Sequence, residues 1–525
     1  MRTIAALVIS LSMLVVAAAP ASAAPTAFRL GVAAGDVTSS SAIVWGRANR
    51  SGRVRLLVAR NRDLTRARRR FVLTARRTDD ATIAKRVRGL AAGRRYWFRW
   101  YQGRGRSARG TFRTAPSPNQ DRLIEFAWTG DTDFNSAPGQ TKPYWNDGGV
   151  FAAMRRENNT FNVHMGDTIY SDSEIPGRLN PIALTTRAKW DKYKINLENR
   201  QLRGLRGSAG FYSHWDDHEF VNDFSPNEST FSNNVNIPGD VLYGRGVRAF
   251  RDYAPVGYNG RDGLYRSFRW GKNLEMFYLD QRSFRSAKAD EGGRCDNPTT
   301  GSADVAPTAP STTRNVFGAA LPSTGLSDPV SPACLQAIRD PNRTYLGRRQ
   351  MERFKQAIAN SDARFKVVMN ELPIQQYYVL PYDRWEGYEA ERQELLGFLR
   401  DKGIKNTIFL TTDVHATLVN DARFQTLESG GPRNSGFFDF TVGSAATENF
   451  RSEIDGATSD GAGQLADDFF LEPEPPLGVG MRCSNLTEFS YGHVRVSNSR
   501  LVVSPRNING RPLAECDPLE IPFRP

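Results

Sequence analysis

Carboxylates recur in short clusters along this chain: Asp131 and Asp133 in GDTD, Asp167 in GDTIYSD, Asp216 and Asp217 in WDDHEFVND, and Asp413 with His415 in TTDVH. Negative charges gathered in one pocket are costly unless a cation neutralises them, and oxygen and imidazole donors suit hard or borderline cations. The chemistry these residues imply is therefore metal-assisted. A lone Gly-Asp after a strand is ordinarily a turn closed by a capping Asp. Only the recurrence argues for a site.

The elements that must position these acids are strands. Buried-strand runs precede three of the clusters: LIEFAWT before Asp131, FNVHM before Asp167 and NTIFLTT before Asp413. In open α/β sheets ligands bind in the crevice outside the carboxyl ends of the strands, so acids arriving there from several strands would share one pocket. Helical stretches alternate with these strands, among them PYWNDGGVFAAMRREN, RAKWDKYKINLENRQLRGL, LGRRQMERFKQAIANS and AERQELLGFLRDKG. The expected architecture over residues 122–525 is α/β, two sheets covered by helices.

The order GD, GDxxY, an acidic-His cluster ending in Asn and a final xH pair resembles that of binuclear metallophosphoesterases. WDDHE followed by Asn222, the DQRSFR run from Asp280, NELP at Asn370 and DRWEGYEAER from Asp383 narrow the resemblance to the alkaline phosphatase D (PhoD-like) family, from about Phe28 to the C-terminus. The resemblance implies a metallophosphoesterase αββα sandwich behind an N-terminal fibronectin-III-like β-sandwich. It also implies one metal held by Asp131, Asp167, Tyr170 and His415, with Asp167 bridging to a second held by Asn222 and Asp413. A phenolate ligand favours iron(III) at the first site, and oxygen ligands suit calcium at the second. Two motifs depart from the family pattern. Phe126, Ala127, Trp128 and Thr129 stand where relatives carry FASC, which opens the first site to zinc or manganese. Thr412 replaces a customary Gly.

Two metals can supply a nucleophile, neutralise the phosphoryl oxygens and assist the leaving oxygen, so no side-chain nucleophile is required. The expectation is hydrolysis of phosphate esters by metal-bound hydroxide. His218, with Asp217 beside it, is either the acid protonating the leaving oxygen or a group orienting the ligands. Arg282 and Arg285 are the candidates for recognising the phosphate. Asp133 and Asp216 read as supporting or capping acids, and His164 and His214 as packing residues. Two alternatives stand beside a phosphatase: a phosphodiesterase, including phospholipase D-like cleavage, and an inactive secreted anion-binding protein with structural calcium. Tyr170 and His415 argue against the last, because a structural calcium site has little use for imidazole.

Residues 1–23, with Arg2, an apolar stretch to Ala19 and a cleavage site within the small-residue run Ala21–Ala24, have the pattern of a secretory signal peptide too short to span a membrane. Cys295, Cys334, Cys483 and Cys516 suit an oxidising compartment, and proximity pairs the first two and the last two. Residues 25–116 read as closely spaced strands of a sandwich, with Leu90, Gly93 and Tyr96 resembling the tyrosine corner of fibronectin type III modules. The segment from Cys295 to Thr324 is small and polar, the composition of a surface loop or lid. The net charge is +14, with arginines concentrated in the N-terminal region. Such a surface would attract anionic polymers or lipid, although a solvated Arg-rich surface is the simpler expectation and no specific nucleic-acid motif is present.

Overall fold

Runs such as FNVHM and TIFLT become strands buried along their whole length because both their faces are covered. In this computed structural model, which describes residues 27–177, 181–232, 235–471, 474, 475 and 477–525, those strands build two stacked sheets. The expected signal segment lies outside the described residues. The first sheet is 6-stranded, in the order Gly210–His214, Phe161–Met165, Ile124–Thr129, Ser490–Val496, Arg500–Asn507 and Leu519–Pro522. The second is 7-stranded, in the order Arg266–Trp270, Leu274–Tyr278, Phe365–Met369, Thr407–Thr411, Arg433–Thr441, Thr417–Gln425 and Cys483–Asn485.

Alternation along each strand divides its side chains between two layers. Trp128, Val163 and Tyr212 from the first sheet meet Tyr278, Met369 and Leu410 from the second in one core. Their neighbours Ala127 and Phe211 face the helices Gly149–Arg156, Arg200–Ser208 and Gly239–Tyr253. Phe277, Val368 and Phe409 face the helices Arg348–Ala359 and Glu389–Asp401. The result is the expected αββα sandwich. The indole of Trp128 ties its layers by donating to the Thr411 carbonyl at 3.0 Å.

In the N-terminal region a 3-stranded sheet of Val32–Gly35, Ser41–Arg47 and Thr82–Arg88 packs against a 5-stranded one of Arg69–Ala75, Gly52–Ala59, Arg95–Gln102, Gly105–Arg106 and Gly110–Arg113. The Tyr96 hydroxyl accepts the Ala91 N–H at 2.9 Å, closing the tyrosine corner. Ion pairs fasten this sandwich to the larger body: Asp36 with Arg266 at 2.6 Å, and Asp80, itself held by Arg47, with Lys194 at 3.2 Å.

Two local expectations change. The stretch read as one helix from Arg187 is two, Thr186–Glu198 and Arg200–Ser208, because the Asn199 side chain caps the second by accepting the N–H groups of Gln201 and Leu202. The polar insertion is not a structureless loop. It carries the helix Ser311–Ala320, and buried Arg314 grips Asp304 through both nitrogens at 2.7 and 2.8 Å. A two-pronged pair of this kind, beside the Cys295–Cys334 disulfide, holds small polar residues in place without a large apolar core. Cys483 pairs with Cys516. Among the described residues no helix is long and apolar enough to cross a membrane.

Candidate metal centre

Parallel strands deliver the acids. Ile124–Thr129 ends before Asp131, Phe161–Met165 before Asp167, Gly210–His214 before Asp216 and Asp217, and Thr407–Thr411 before Asp413 and His415. Two further strands end at the same edge, Leu274–Tyr278 before Asp280 and Arg282, and Phe365–Met369 before Asn370 and Glu371. At this edge the chain turns sharply. Asp131, Asp167, Asp413 and His415 have φ values of 56°, 44°, 72° and 56°, a left-handed conformation uncommon outside glycine that aims each side chain back across the strand ends. Gly166 must also be glycine. Its φ is 79°, and a Cβ there would lie 2.7 Å from the Cβ of Asp216.

The acids converge in overlapping groups whose ligand atoms lie within 4.8 Å of one another: Asp131 with Asp167 and His415, Asp167 with Asp217 and His218, and Asp216 with Asp217 and Asp413. Asp167 thus belongs to two groups at once. The Tyr170 hydroxyl sits 2.7 Å from Nε2 of His415, and its ring stacks on His218 at 3.9 Å. His415 turns Nδ1 to the Glu453 carboxylate, which leaves Nε2 directed at the acids. His218 holds Asp172 through Nδ1 at 2.7 Å, while its backbone N–H donates to Asp167 at 3.1 Å and to Asp217 at 3.0 Å.

The electrostatics call for positive charge. Burial lifts the carboxyl of Asp131 to about 7, and burial followed by neighbouring carboxylates pushes Asp167 and Asp413 well above the usual carboxylate range. Burial disfavours a charged His218, yet Asp172, Asp217 and Asp167 outweigh it and hold the imidazolium well above its ordinary range. Asp131 Oδ2 and Asp216 Oδ2 are buried without a hydrogen-bond partner among the described residues. At Gly443 a Cβ would stand 2.6 Å from Asp131 Oδ2, so the space in front of that oxygen is kept clear. Orphaned carboxylate oxygens, imidazole and phenol make a donor set that fits cations.

Most of the expected residues come together here: Asp131, Asp167, Tyr170, Asp217, His218, Asp413 and His415. Asn222 stands apart. It is exposed, its N–H donates to Asp172 at 2.6 Å, and among the described residues its side chain forms no hydrogen bond. Arg282 is fully buried between Asp216 and Asp383, with Nη2 lying 3.7 Å from Asp217 and 3.5 Å from Asp413. Arg285 is one layer further away, paired with Asp383 at 2.8 Å and covered by Tyr345 and Tyr388. Thr129 spends its hydroxyl on the Ser490 carbonyl at 3.1 Å, and Thr412 spends its own on the Met165 carbonyl, so both departures from the family pattern serve the sheet. His164 bonds Thr132 and His214 bonds the Trp215 carbonyl, as packing residues do. Asp172, Asp383, Glu371 and Glu453 do not stand out as site residues in the sequence. The first two lie inside the GDTIYSD and DRWEGYEAER motifs, which is signal enough to suspect them, whereas nothing local marks Glu453.

Two sheets between helical layers, with carboxylates and imidazoles gathered at one set of strand ends, define the metallophosphoesterase class of fold. The chain belongs to the PhoD-like phosphatase family: that family's model matches residues 136–479, and the model of its N-terminal domain matches residues 15–116. A curated relative, alkaline phosphatase D of Bacillus subtilis (strain 168), is 22% identical over 429 residues, 74% of this chain and 64% of the relative's own length. The chain therefore spans somewhat under two thirds of that protein. Among solved structures, PhoD superposes with a TM-score of 0.70 at 19% identity, covering 93% of this chain and 87% of that one. A purple acid phosphatase, PPD1 from yellow lupin (Lupinus luteus) seeds, gives a TM-score of 0.56 at 12% identity over 94% and 74%.

Proposed function

We propose that this chain is a secreted, metal-dependent phosphoric ester hydrolase with a binuclear site. The observation that carries the reading is the sharing of Asp167 between the Asp131–His415 group and the Asp217–His218 group. Asp131, Asp167, Tyr170 and His415 would hold one cation, and Asp167, Asp217 and Asp413 a second, with Asn222 joining only if its exposed side chain turns inward. Iron(III) with calcium suits a phenolate beside all-oxygen donors, and zinc or manganese is the alternative pair. Two such cations would neutralise phosphoryl oxygens and acidify a bound water.

The chain's own residues divide the remaining work. His218, whose imidazolium the surrounding carboxylates favour, would offer Nε2, which lies 3.9 Å from Glu174, to the leaving oxygen, while Asp172 fixes the ring through Nδ1 and the stacked Tyr170 limits its tilt. Arg282 places Nη2, which forms no hydrogen bond among the described residues, at 3.7 and 3.5 Å from Asp217 and Asp413, where a phosphoryl oxygen could receive it. Arg285 acts at one remove, by steadying Asp383. The apolar N-terminal stretch and the disulfides support export.

Metal analysis of the exported protein, paired with turnover of p-nitrophenyl and bis-p-nitrophenyl phosphate, tests the reading. Two equivalents of metal and hydrolysis of at least one substrate are expected. A metal-free protein, or a metal-loaded one inert on both, would overturn it.

A further inference from the structure

The outer face of the 5-stranded sheet in the N-terminal sandwich is an arginine and aromatic surface with no acid in it. Alternation puts Val54, Leu56, Val58, Tyr96, Phe98, Trp100 and Phe112 inward, where all are buried. The same alternation puts Arg53, Arg55 and Leu57 outward on one strand, Arg70, Val72 and Thr74 on the next, and Arg95, Trp97, Arg99 and Tyr101 on the third. Arg106 and Arg113 continue the face on the two short strands. None of these strands contains an Asp or Glu, and among the described residues none of these arginines forms an ion pair.

Several strand arginines of the larger body are paired with acids. On the C-terminal strands Arg500 pairs with Glu520 at 3.0 Å and Arg495 with Glu125 at 3.4 Å. On the sandwich face the register instead sets Arg95 directly opposite Arg113, a like-charge pair that costs stability. Crowding is felt further along: after burial, Arg95 and Arg122 depress the pKa of Arg113, and after burial, Arg62 and Arg99 depress that of Arg109. Arg55 lies over the Tyr101 ring at 4.8 Å, so cation and ring form one platform. Cations that track a backbone, interleaved with ring faces, are the combination that binds single strands of nucleic acid: the phosphates meet the guanidiniums and the unstacked bases meet the rings. A plain polyanion would make no use of Trp97 and Tyr101, and a duplex keeps its base faces hidden.

We propose that this sheet face binds single-stranded nucleic acid, with Arg53, Arg55, Arg70 and Arg99 contacting phosphates and Trp97 and Tyr101 stacking on bases. The inference rests on the sandwich alone. If the larger body hydrolyses phosphate esters, the face would hold a phosphodiester polymer on the same molecule.

Fluorescence anisotropy of the full chain with a labelled, phosphorothioate-linked oligothymidylate tests it, because binding is read without turnover and a failure of the catalytic reading leaves the result standing. Binding should weaken with salt, and the slope of log affinity against log salt should become shallower by about 0.7 for each phosphate that an arginine no longer neutralises. Arg70→Glu, on an exposed side chain away from the core, and Arg55→Glu with Arg99→Glu should each flatten that slope, whereas Arg55→Lys with Arg99→Lys should keep it. Trp97→Ala and Tyr101→Ala should each weaken binding about tenfold with the slope unchanged, and the same backbone lacking bases should bind correspondingly worse. Thermal midpoints matching the parent chain confirm that each variant is folded. Equal affinity for the base-free backbone, tighter binding to anionic lipid vesicles than to the oligonucleotide, or no binding at low salt would overturn the proposal.

Discussion

Replacing His218 by Asn should separate substrates by their leaving groups. In the structure His218 does two things from different atoms. Its backbone N–H donates to Asp167 and Asp217, and its ring, held by Asp172 through Nδ1, turns Nε2 toward Glu174 at 3.9 Å. The substitution keeps the first and removes the second, so the acids stay in place while the proton donor is removed. A positioned general acid contributes about 10²–10⁴ in rate when the leaving group needs a proton. An alkoxide does, and p-nitrophenolate, stable near neutral pH, does not. His218→Asn should therefore lower kcat/KM on glycerol phosphate by about 10²–10⁴ and on p-nitrophenyl phosphate by less than about tenfold. Asp172→Asn removes the charge behind the ring, and a charge-assisted bond of about 1.5–3 kcal/mol corresponds to an intermediate loss of about ten- to a hundredfold on the alkyl ester. The assay is kcat/KM across a series of leaving groups, with metal content measured on each variant. If His218→Asn loses the same factor on alkyl and nitrophenyl esters while its metal content is unchanged, His218 is not the proton donor.

Asp167→Asn should lose both cations or bind them at most weakly, with activity down by several orders of magnitude, and metal analysis of the folded variant checks this. Full metal content and near-parent turnover would remove the shared carboxylate from the mechanism. Tyr170→Phe should abolish any visible charge-transfer band of the iron-loaded protein while leaving its circular dichroism intact, and a band that survives would place the iron elsewhere. Arg282→Ala should weaken monoester turnover more than diester turnover, because the monoester dianion presents more charge to the guanidinium, and Arg285→Ala should show no such bias. Burial lowers Lys189 to about 7, with its Nζ bonded to Ser171 and the Phe220 carbonyl. Between that value and its unfolded pKa of 10.5 the unfolded chain holds a proton the fold lacks, so this residue makes stability rise with pH through that window, by at most about 1.4 kcal/mol per unit. Thermal midpoints from about pH 7 to 9.5 should climb more steeply for the parent chain than for Lys189→Met, and parallel curves would refute the assignment.

Asp131, Asp167 and Asp413 are legible in the sequence because the signal is local: an apolar run long enough for a buried strand, then an acid at its end. WDDHE is legible as an acidic cluster although its strand, Gly210–His214, is not, since GFYSH follows a helical stretch almost directly and opens on a glycine, which reads as punctuation rather than as a strand. Arg282 and Arg285 stand as equals in one motif. Only the fold separates them, because residues three apart after a strand end face different layers: one reaches Asp217 and Asp413, the other stops at Asp383. Glu453 is beyond reach for a different reason. Its partner His415 lies on another element, and the contact depends on how the helix Phe450–Ala457 docks.

The buried guanidinium of Arg282 explains why cations would be needed at one end of the pocket and not the other. An arginine cannot release its proton in a protein, so it contributes one fixed positive charge, shared among Asp216, Asp217, Asp383 and Asp413. That charge reaches Asp413 and Asp217 only at the edge of ion-pair distance, and among the described residues no Lys or Arg forms an ion pair with Asp131 or Asp167. His218 and His415 can supply charge there only by holding protons, and His415 would surrender its own to act as a ligand through Nε2. The protein has thus built permanent compensation for the acids that brace the site and left the acids that face the cavity to be compensated by something that binds. Removing Arg282 and removing the cations would for that reason fail in different ways: the first would loosen the wall formed by Asp216 and Asp383, and the second would leave Asp131 and Asp167 competing for protons, with Asp131 already at about 7.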